Sequence, residues 1–306
     1  MWLIDVETMG LKWFMGNEWT PPYAILSHLW GPDESLFHDF VRETGRHKMG
    51  SQKILRCCQL AKRDSLNWLW VDTCCINKES SAELSETINT MFQWYEKAAV
   101  CYTYLPDVLD IYETSNEDKF TDSRWFRRGW TLQELIAPQE VHFYDESWKY
   151  IASRSALADQ IAKVTNVDVA LLQERRGQVS SMLSNYSVAQ RLSWAANRET
   201  TREEDQAYSL LGIFGIKEIM RSTADLSILA WSPTPGSIAE RAQQPLACSL
   251  ADFAKGGKLI PTQQPTGAAW YSETTLTNAA LRITTSVREV PNPGTTEKQL
   301  VAILGC

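Results

Sequence analysis

Glu134 lies in the stretch GWTLQEL, and Arg127, Trp130 and Glu134 stand at i, i+3 and i+7, a spacing that puts all three on roughly one face of a helix. These residue types suit a particular chemistry. A carboxylate fixed on a helix stabilises positive charge as it develops on a sugar, the situation in an oxocarbenium-like transition state. An indole beside it can stack on a planar heterocycle, and an arginine can meet a phosphate. The plainer alternative is a glutamate that caps or bridges to an arginine within the fold.

A second group of polar residues sits where apolar runs stop. Ser27 and His28 follow YAIL (Tyr23–Leu26), just before the breaker WGPD that contains Trp30; Asp72 ends WLWVD, and Asp107 follows VCYTYL. If the runs are parallel strands, their carboxyl ends share an edge, and ligands of open α/β sheets bind outside that edge. Ser27, His28, Trp30 and Asp72 are therefore expected to border a ligand site, together with Arg127 and Trp130. Each also has a structural reading, an aspartate orienting a turn or a histidine satisfying a hydrogen bond. Ser27 and His28 are neighbours on one strand and point to opposite faces. With no G-x-S-x-G elbow in the chain, a Ser/His nucleophile pair is not expected. Cys74 would need a neighbouring base to act as a thiolate, and the sequence places none beside it.

Phosphate-loop, dinucleotide, EF-hand and H-E-x-x-H motifs are all lacking, and the seven cysteines include no C-x-x-C pair. The cysteines read as small buried hydrophobes, and neither a metal site nor a cofactor is expected. A formal net charge of −7 with no basic stripe argues against a polyanionic partner such as nucleic acid. No apolar run reaches the roughly 20 residues of a membrane helix, and the acidic start MWLIDVETMG does not resemble a secretory signal. A cytoplasmic protein that takes a small-molecule ligand, with no membrane contact, is the expectation.

The elements that must position these groups follow from periodicity. YAIL, WLWVD, VCYTYL and VHFYD (Val141–Asp145) read as buried strands. Between them, SQKILRCCQLAKRDS has helical spacing. SSAELSETINTMFQWYEKAA places Leu84, Ile88, Met91 and Tyr95 on one face behind a Ser80/Glu83 capping box. SRWFRRGWTLQELIA reads as a helix closed by Pro138. Alternating strands and helices predict an α/β fold, a parallel sheet with helices on both faces. The expected organisation is an α/β core at 1–145, a helical part at 146–222 and a β-rich C-terminal region at 223–306. In the helical part, Arg191, Arg198, Glu199, Arg202 and Asp205 are expected to form an ion-pair lattice.

Several of these segments, in this order, resemble one family. YAILSHLWG, WLWVDTCCINK, SAELSETINTMFQWYEKAAVCYTYL, SRWFRRGWTLQELIAP, RLSWAANRETTREEDQAYSLLGIF and SILAW are similar to the fungal heterokaryon-incompatibility (HET) domain family. The resemblance implies a role in allorecognition and programmed cell death in a filamentous fungus. Members carry a segment resembling NMPLLYGEG between the GIF and SILAW motifs; here GIFGIKEIMRSTADLSILAW runs straight through. HET domains are in turn distantly similar to TIR domains, which implies a TIR-like, flavodoxin-like sheet. Some TIR domains hydrolyse NAD with a helix glutamate, in a Ser-x-Trp then Glu-Leu pattern similar to SRWFRRGWTLQEL.

That resemblance implies Glu134 as a catalytic residue with NAD as substrate rather than cofactor. Two alternatives belong to other classes. One is a non-enzymatic module that signals by self-association or by pairing with another HET or signalling protein. The other is a HET scaffold repurposed in secondary metabolism, whose apolar pocket would steer a cofactor-free cyclisation or isomerisation. A deep apolar pocket would favour the latter, and a polar cleft would favour NAD.

Overall fold

A computed structural model describes residues 1–15, 20–42, 48–109, 118–173, 179–202 and 204–215, together with three strands nearer the C-terminus. The SILAW motif and the junction after GIF, where the family segment is lacking, lie outside the described residues. The chain divides into two compact units, Met1–Met182 with Asn197–Gly212, and Leu183–Ala196 with Ile213–Cys306.

The first unit is α/β. Its elements begin with strands β1 (Trp2–Asp5), β2 (Leu11–Trp13) and β3 (Ala24–His28), helices α1 (Phe37–Val41) and α2 (Met49–Arg63), and strand β4 (Trp68–Trp70). Then come α3 (Ser81–Lys97), β5 (Val100–Tyr104), α4 (Asp118–Thr121), a 3-10 turn at Arg124–Arg127, α5 (Thr131–Ile136), β6 (Val141–Tyr144) and β7 (Tyr150–Ser153). The strands form one seven-stranded sheet in the order β2-β1-β4-β3-β5-β6-β7. Its centre, β4-β3-β5-β6, is parallel, as the four apolar runs predicted. The edges are antiparallel: a hairpin of β1 and β2 joins β4, and β7 joins β6. The short edge strands alternate poorly and are half exposed, so no period-2 signal marks them.

Counted along the chain, the four parallel strands stand in the order 2-1-3-4, the flavodoxin-like arrangement whose chain direction reverses between the first and third strands. Here that switch point falls between β3 and β5. Helices cover both faces of the sheet. Alpha-2 lies on one, where Lys53 meets His28, Arg63 meets Tyr144 and the Tyr102 hydroxyl donates to Asp64 at 2.6 Å. On the other, the Tyr23 hydroxyl donates to the Trp94 carbonyl of α3, and Trp70 packs against Trp94 and Tyr95. Helix α3 begins as its capping residues predict, with Ser80 accepting from the Glu83 amide; Glu83, however, turns its own carboxylate to the Asn77 amide.

Between β7 and Gly215 the described chain is helical: α6 (Ala158–Thr165), α7 (Val169–Gln173), α8 (Val179–Met182), α9 (Val188–Ala195), α10 (Glu204–Tyr208) and α11 (Leu211–Phe214). Residues 187–214 make three short helices interrupted at Asn197–Arg202. That interruption is used: Glu199 forms a bridge with Arg128, and the Gly129 amide donates to the Glu199 carbonyl at 2.8 Å. Two of the arginines expected in an ion-pair lattice reach the main chain. Arg198 donates to the Arg128 carbonyl and the Thr131 hydroxyl, and Arg191 donates to the Ile213 carbonyl. In the second unit, β8 (Glu273–Leu276), β9 (Ala280–Val287) and β10 (Lys298–Gly305) form an antiparallel sheet in the order β10-β9-β8.

Gly212 packs tightly against Phe92 of α3. A β-carbon there would stand 2.2 Å from Cβ of the buried Phe92, an atom that cannot retreat without moving the α3 backbone. Gly212→Ala is expected to destabilise the protein by about 1–3 kcal/mol through overpacking, despite alanine's better helix propensity. Thermal unfolding of the variant against wild type checks this; an unchanged or higher midpoint would contradict the packing argument.

Candidate functional site

The C-terminal end of β3 divides its two polar residues between the faces of the sheet, as the pleat requires. Both are buried. Ser27 points toward α3 and α5, where its hydroxyl donates to a Glu134 carboxylate oxygen and accepts from the Trp125 indole N–H at 2.7 Å. His28 points toward α2. Lys53 has only protons to offer, so His28 Nδ1 accepts from Lys53 at 2.9 Å and Nε2–H is left to donate to Asp72 at 3.2 Å. The two residues thus serve separate networks.

Glu134 is 7% exposed and sits in the first turn of α5. Burial pushes its carboxyl up to about 7, with the Asp72 charge adding to the shift. The Ser27 hydrogen bond, the Arg128 charge and the Tyr95 hydroxyl act in the opposite sense without cancelling it. The other side of α5 is held by Arg198, whose burial lowers its affinity for its proton while Glu134 raises it. Trp125 is placed by aromatic packing: it stands edge-on to Phe126 at 5.1 Å and to Phe143 of β6 at 5.7 Å. Asp107, the residue after β5 that the strand-end argument singled out, fixes the turn that carries Trp125. It accepts from the Ser123 hydroxyl at 2.7 Å and the Arg124 amide at 2.9 Å.

Above these buried groups is a charged rim. Trp30 is 42% exposed and donates its indole N–H to Asp72 Oδ2 at 2.8 Å. Burial alone would raise the Asp72 carboxyl, but the His28 hydrogen bond and the positive charges of Lys78 and Arg128 hold it at about 2. Lys78 lies over the Trp30 ring at 3.6 Å and Arg128 at 5.4 Å, and Lys53 pairs with Glu34 below. Among the described residues, no group of three or more His, Cys, Asp and Glu side chains is placed to hold a metal ion. The described cysteines are free and buried. Cys74 in particular is pushed well above the usual thiol range by burial, which leaves it a poor nucleophile.

Ser27, His28, Trp30, Asp72 and Glu134 are therefore brought together, and Arg127 is not. The predicted single helix is broken: Arg127 ends the 3-10 turn and is exposed, and Arg128 is extended before α5 begins. This corrects the shared helical face of Arg127, Trp130 and Glu134. The helical face fails because the backbone from Arg127 to Gly129 pairs with Glu199 instead of with its own next turn. Arg128 takes the place expected of Arg127. Trp130 heads α5, half-buried, and the indole against Ser27 belongs to Trp125. Lys53, Lys78, Tyr95 and Arg198 were also missed. Only Trp125 had a signal in the sequence, the Ser-x-Trp spacing of residues 123–125.

Residues 23–110, which contain β3, β4 and their polar ends, match the heterokaryon incompatibility protein (HET) family. The chain carries a domain of the HET family. Over 203 residues it is 46% identical to the vegetative incompatibility protein HET-E-1 of Podospora anserina, an alignment that covers 64% of this chain and 14% of that relative. The chain thus spans a small part of the relative's length. No solved structure matches the chain. The HET match covers Ser27, His28, Trp30, Asp72 and Lys78 and stops before Trp125, Arg128 and Glu134, so the residues gathered here come from both the matched stretch and beyond it. No described helix is long and apolar enough to cross a membrane.

Proposed function

We propose that this HET domain binds a nucleotide at the Glu134 centre and hydrolyses the bond between nicotinamide and ribose in NAD, and that this reaction serves heterokaryon incompatibility and programmed cell death. The observation that carries the reading is the buried carboxylate of Glu134, clamped by Ser27 and through it by Trp125 at the switch-point edge of the sheet.

In the proposed reaction the bond from ribose C1′ to the nicotinamide nitrogen breaks, and its electron pair neutralises the pyridinium ring. The sugar is left as an oxocarbenium-like cation, which ionised Glu134 stabilises at short range in a water-poor setting. Water then adds to C1′ and loses a proton, giving nicotinamide and ADP-ribose. Ser27 holds the carboxylate in one orientation, so no reorganisation is needed as the charge appears. The rim of Trp30, Asp72, Lys78 and Arg128 is polar, which supports a charged ligand over the apolar substrate of a cyclase.

Because Glu134 titrates at about 7 and must be ionised to act, kcat/KM is expected to rise about tenfold per pH unit below 7 and to level off above it. The test incubates purified protein with NAD at low and high protein concentration from pH 5.5 to 8.5, following nicotinamide by chromatography. No release at any concentration or pH would overturn the reading for this chain.

A further inference from the structure

Two cations on the rim share one nearby anion, Asp72. Lys78 and Arg128 both lie within 5.4 Å of the centre of the Trp30 ring, yet among the described residues neither makes an ion pair within 4 Å. Asp72, whose charge acts on both, has its oxygens hydrogen-bonded elsewhere, Oδ1 to His28 and Oδ2 to the Trp30 indole. Glu34 is held by Lys53 and the Gly31 amide, and Glu134 is tied to Ser27 below the rim. Positive charge is therefore left over at one point on a chain whose formal net charge is −7.

The geometry around this point is fixed in advance. Arg128 is anchored by its backbone, which bridges to Glu199 and accepts from Arg198 at 2.9 Å. The indole N–H bond to Asp72 sets the plane of Trp30, so the exposed ring offers its face rather than its polar edge. A guanidinium and an ammonium side by side suit a group with several anionic oxygens, the arginine through paired N–H donors and the lysine as a point charge.

We propose that Lys78 and Arg128 together bind the phosphates of a nucleotide, with preference for a diphosphate, and that a planar ring of the same ligand lies against Trp30. This rests on the reading of the site as nucleotide-binding and adds the residues that recognise the phosphates. Lys78 lies over the indole, and a phosphate draws its ammonium off the ring, freeing that face for stacking.

The test is isothermal titration calorimetry of the full chain with inorganic pyrophosphate, ADP and adenosine at low salt, where exposed charges are least screened. Pyrophosphate and ADP are expected to bind, and adenosine at least about tenfold more weakly than ADP. Lys78→Ala and Arg128→Ala should each weaken ADP by about tenfold or more, the worth of one charged hydrogen bond. Trp30→Phe should weaken ADP more than pyrophosphate. Circular dichroism verifies folding, and Lys78→Gln with Arg128→Gln carries the test if an alanine variant does not fold. Absence of pyrophosphate and ADP binding, or affinities unchanged in the Lys78 and Arg128 variants, would overturn the proposal. Glu134→Gln separates it from the hydrolytic reading, since that variant should keep its ADP affinity. ADP binding that depends on the pair, without nicotinamide release, would uphold the phosphate site and sink hydrolysis. Nicotinamide release that survives the double substitution would do the reverse.

Discussion

Glu134→Gln is expected to lower nicotinamide release from NAD by roughly 10²–10³-fold, the size of loss seen when one preorganised electrostatic group is removed from a transition state, while making the folded protein more stable at alkaline pH. The two effects have one origin. Burial raises the Glu134 carboxyl from 4.5 in the unfolded chain to about 7 in the fold. A raised folded pKa contributes stability that is fully present below about 4.5 and is lost as pH rises through 7, because the native state must then hold an ionised carboxylate out of water. Glutamine keeps the shape and can still accept from Ser27, and it carries no charge. The variant should therefore gain up to about 3 kcal/mol over wild type at pH 8 to 9, and little at pH 5. Paired thermal unfolding curves at the two pH values measure this. Equal midpoints at pH 8 would contradict the buried, strained carboxylate, whatever the activity assay shows. A variant that is stabilised yet still releases nicotinamide at the wild-type rate would remove Glu134 from the chemistry.

Arg154→Met is expected to have the largest effect on stability, a loss of about 3–5 kcal/mol. Arg154 is 2% exposed, just after β7, and its guanidinium donates to five main-chain carbonyls. Four of them, on Leu135, Ile136, Pro138 and Gln139, belong to the end of α5 and the turn that follows; the fifth is on Leu172. The last carbonyls of a helix have no partner within it, and Leu135, Ile136 and Pro138 are buried. Methionine fills similar volume but donates nothing, so each carbonyl would lose its charged donor at once. Lysine is expected to recover only part of the loss, since one ammonium cannot fan across so many acceptors. A fall in midpoint of roughly 10 °C should accompany Arg154→Met. Because α5 carries Glu134, the variant should also lose turnover at temperatures where it remains folded, as a small misplacement of a fixed catalytic group is costly. A drop of less than about 1 kcal/mol in Arg154→Met would show that the carbonyls find other donors.

Periodicity and strand-end chemistry determined much of this protein without coordinates. Apolar runs of four to six residues can only be buried strands when helices of amphipathic spacing separate them, and β3, β4, β5 and β6 stand where those runs lie. The polar residues after the runs then had to share an edge, and Ser27, His28 and Asp72 do. The alternation of side chains along a strand, a strictly local property, already separated Ser27 from His28. Glu134 was legible through its spacing from Trp130 and through the resemblance that carries a helix glutamate.

The tertiary structure decided which neighbours Glu134 has. RWFRRGWTLQEL contains no proline and reads as continuous helix, so local propensity points to Arg127. The helix breaks because a segment about 70 residues later offers a better partner: Glu199 pairs with the backbone at Arg127 and Gly129, and Arg198 binds the Arg128 carbonyl. Gly129 allows the approach, since a β-carbon there would meet Thr200 at 2.5 Å. That pairing turns Arg127 to solvent, brings Arg128 over Trp30 and leaves Trp125 to reach Ser27. Arg154 as the cap of α5 is equally nonlocal, because five carbonyls converge on one guanidinium only after β6 and β7 have paired. Local sequence sets the period of an element, and contacts distant in the chain set where it stops. The residues around Glu134 sit where one element stops and the next begins.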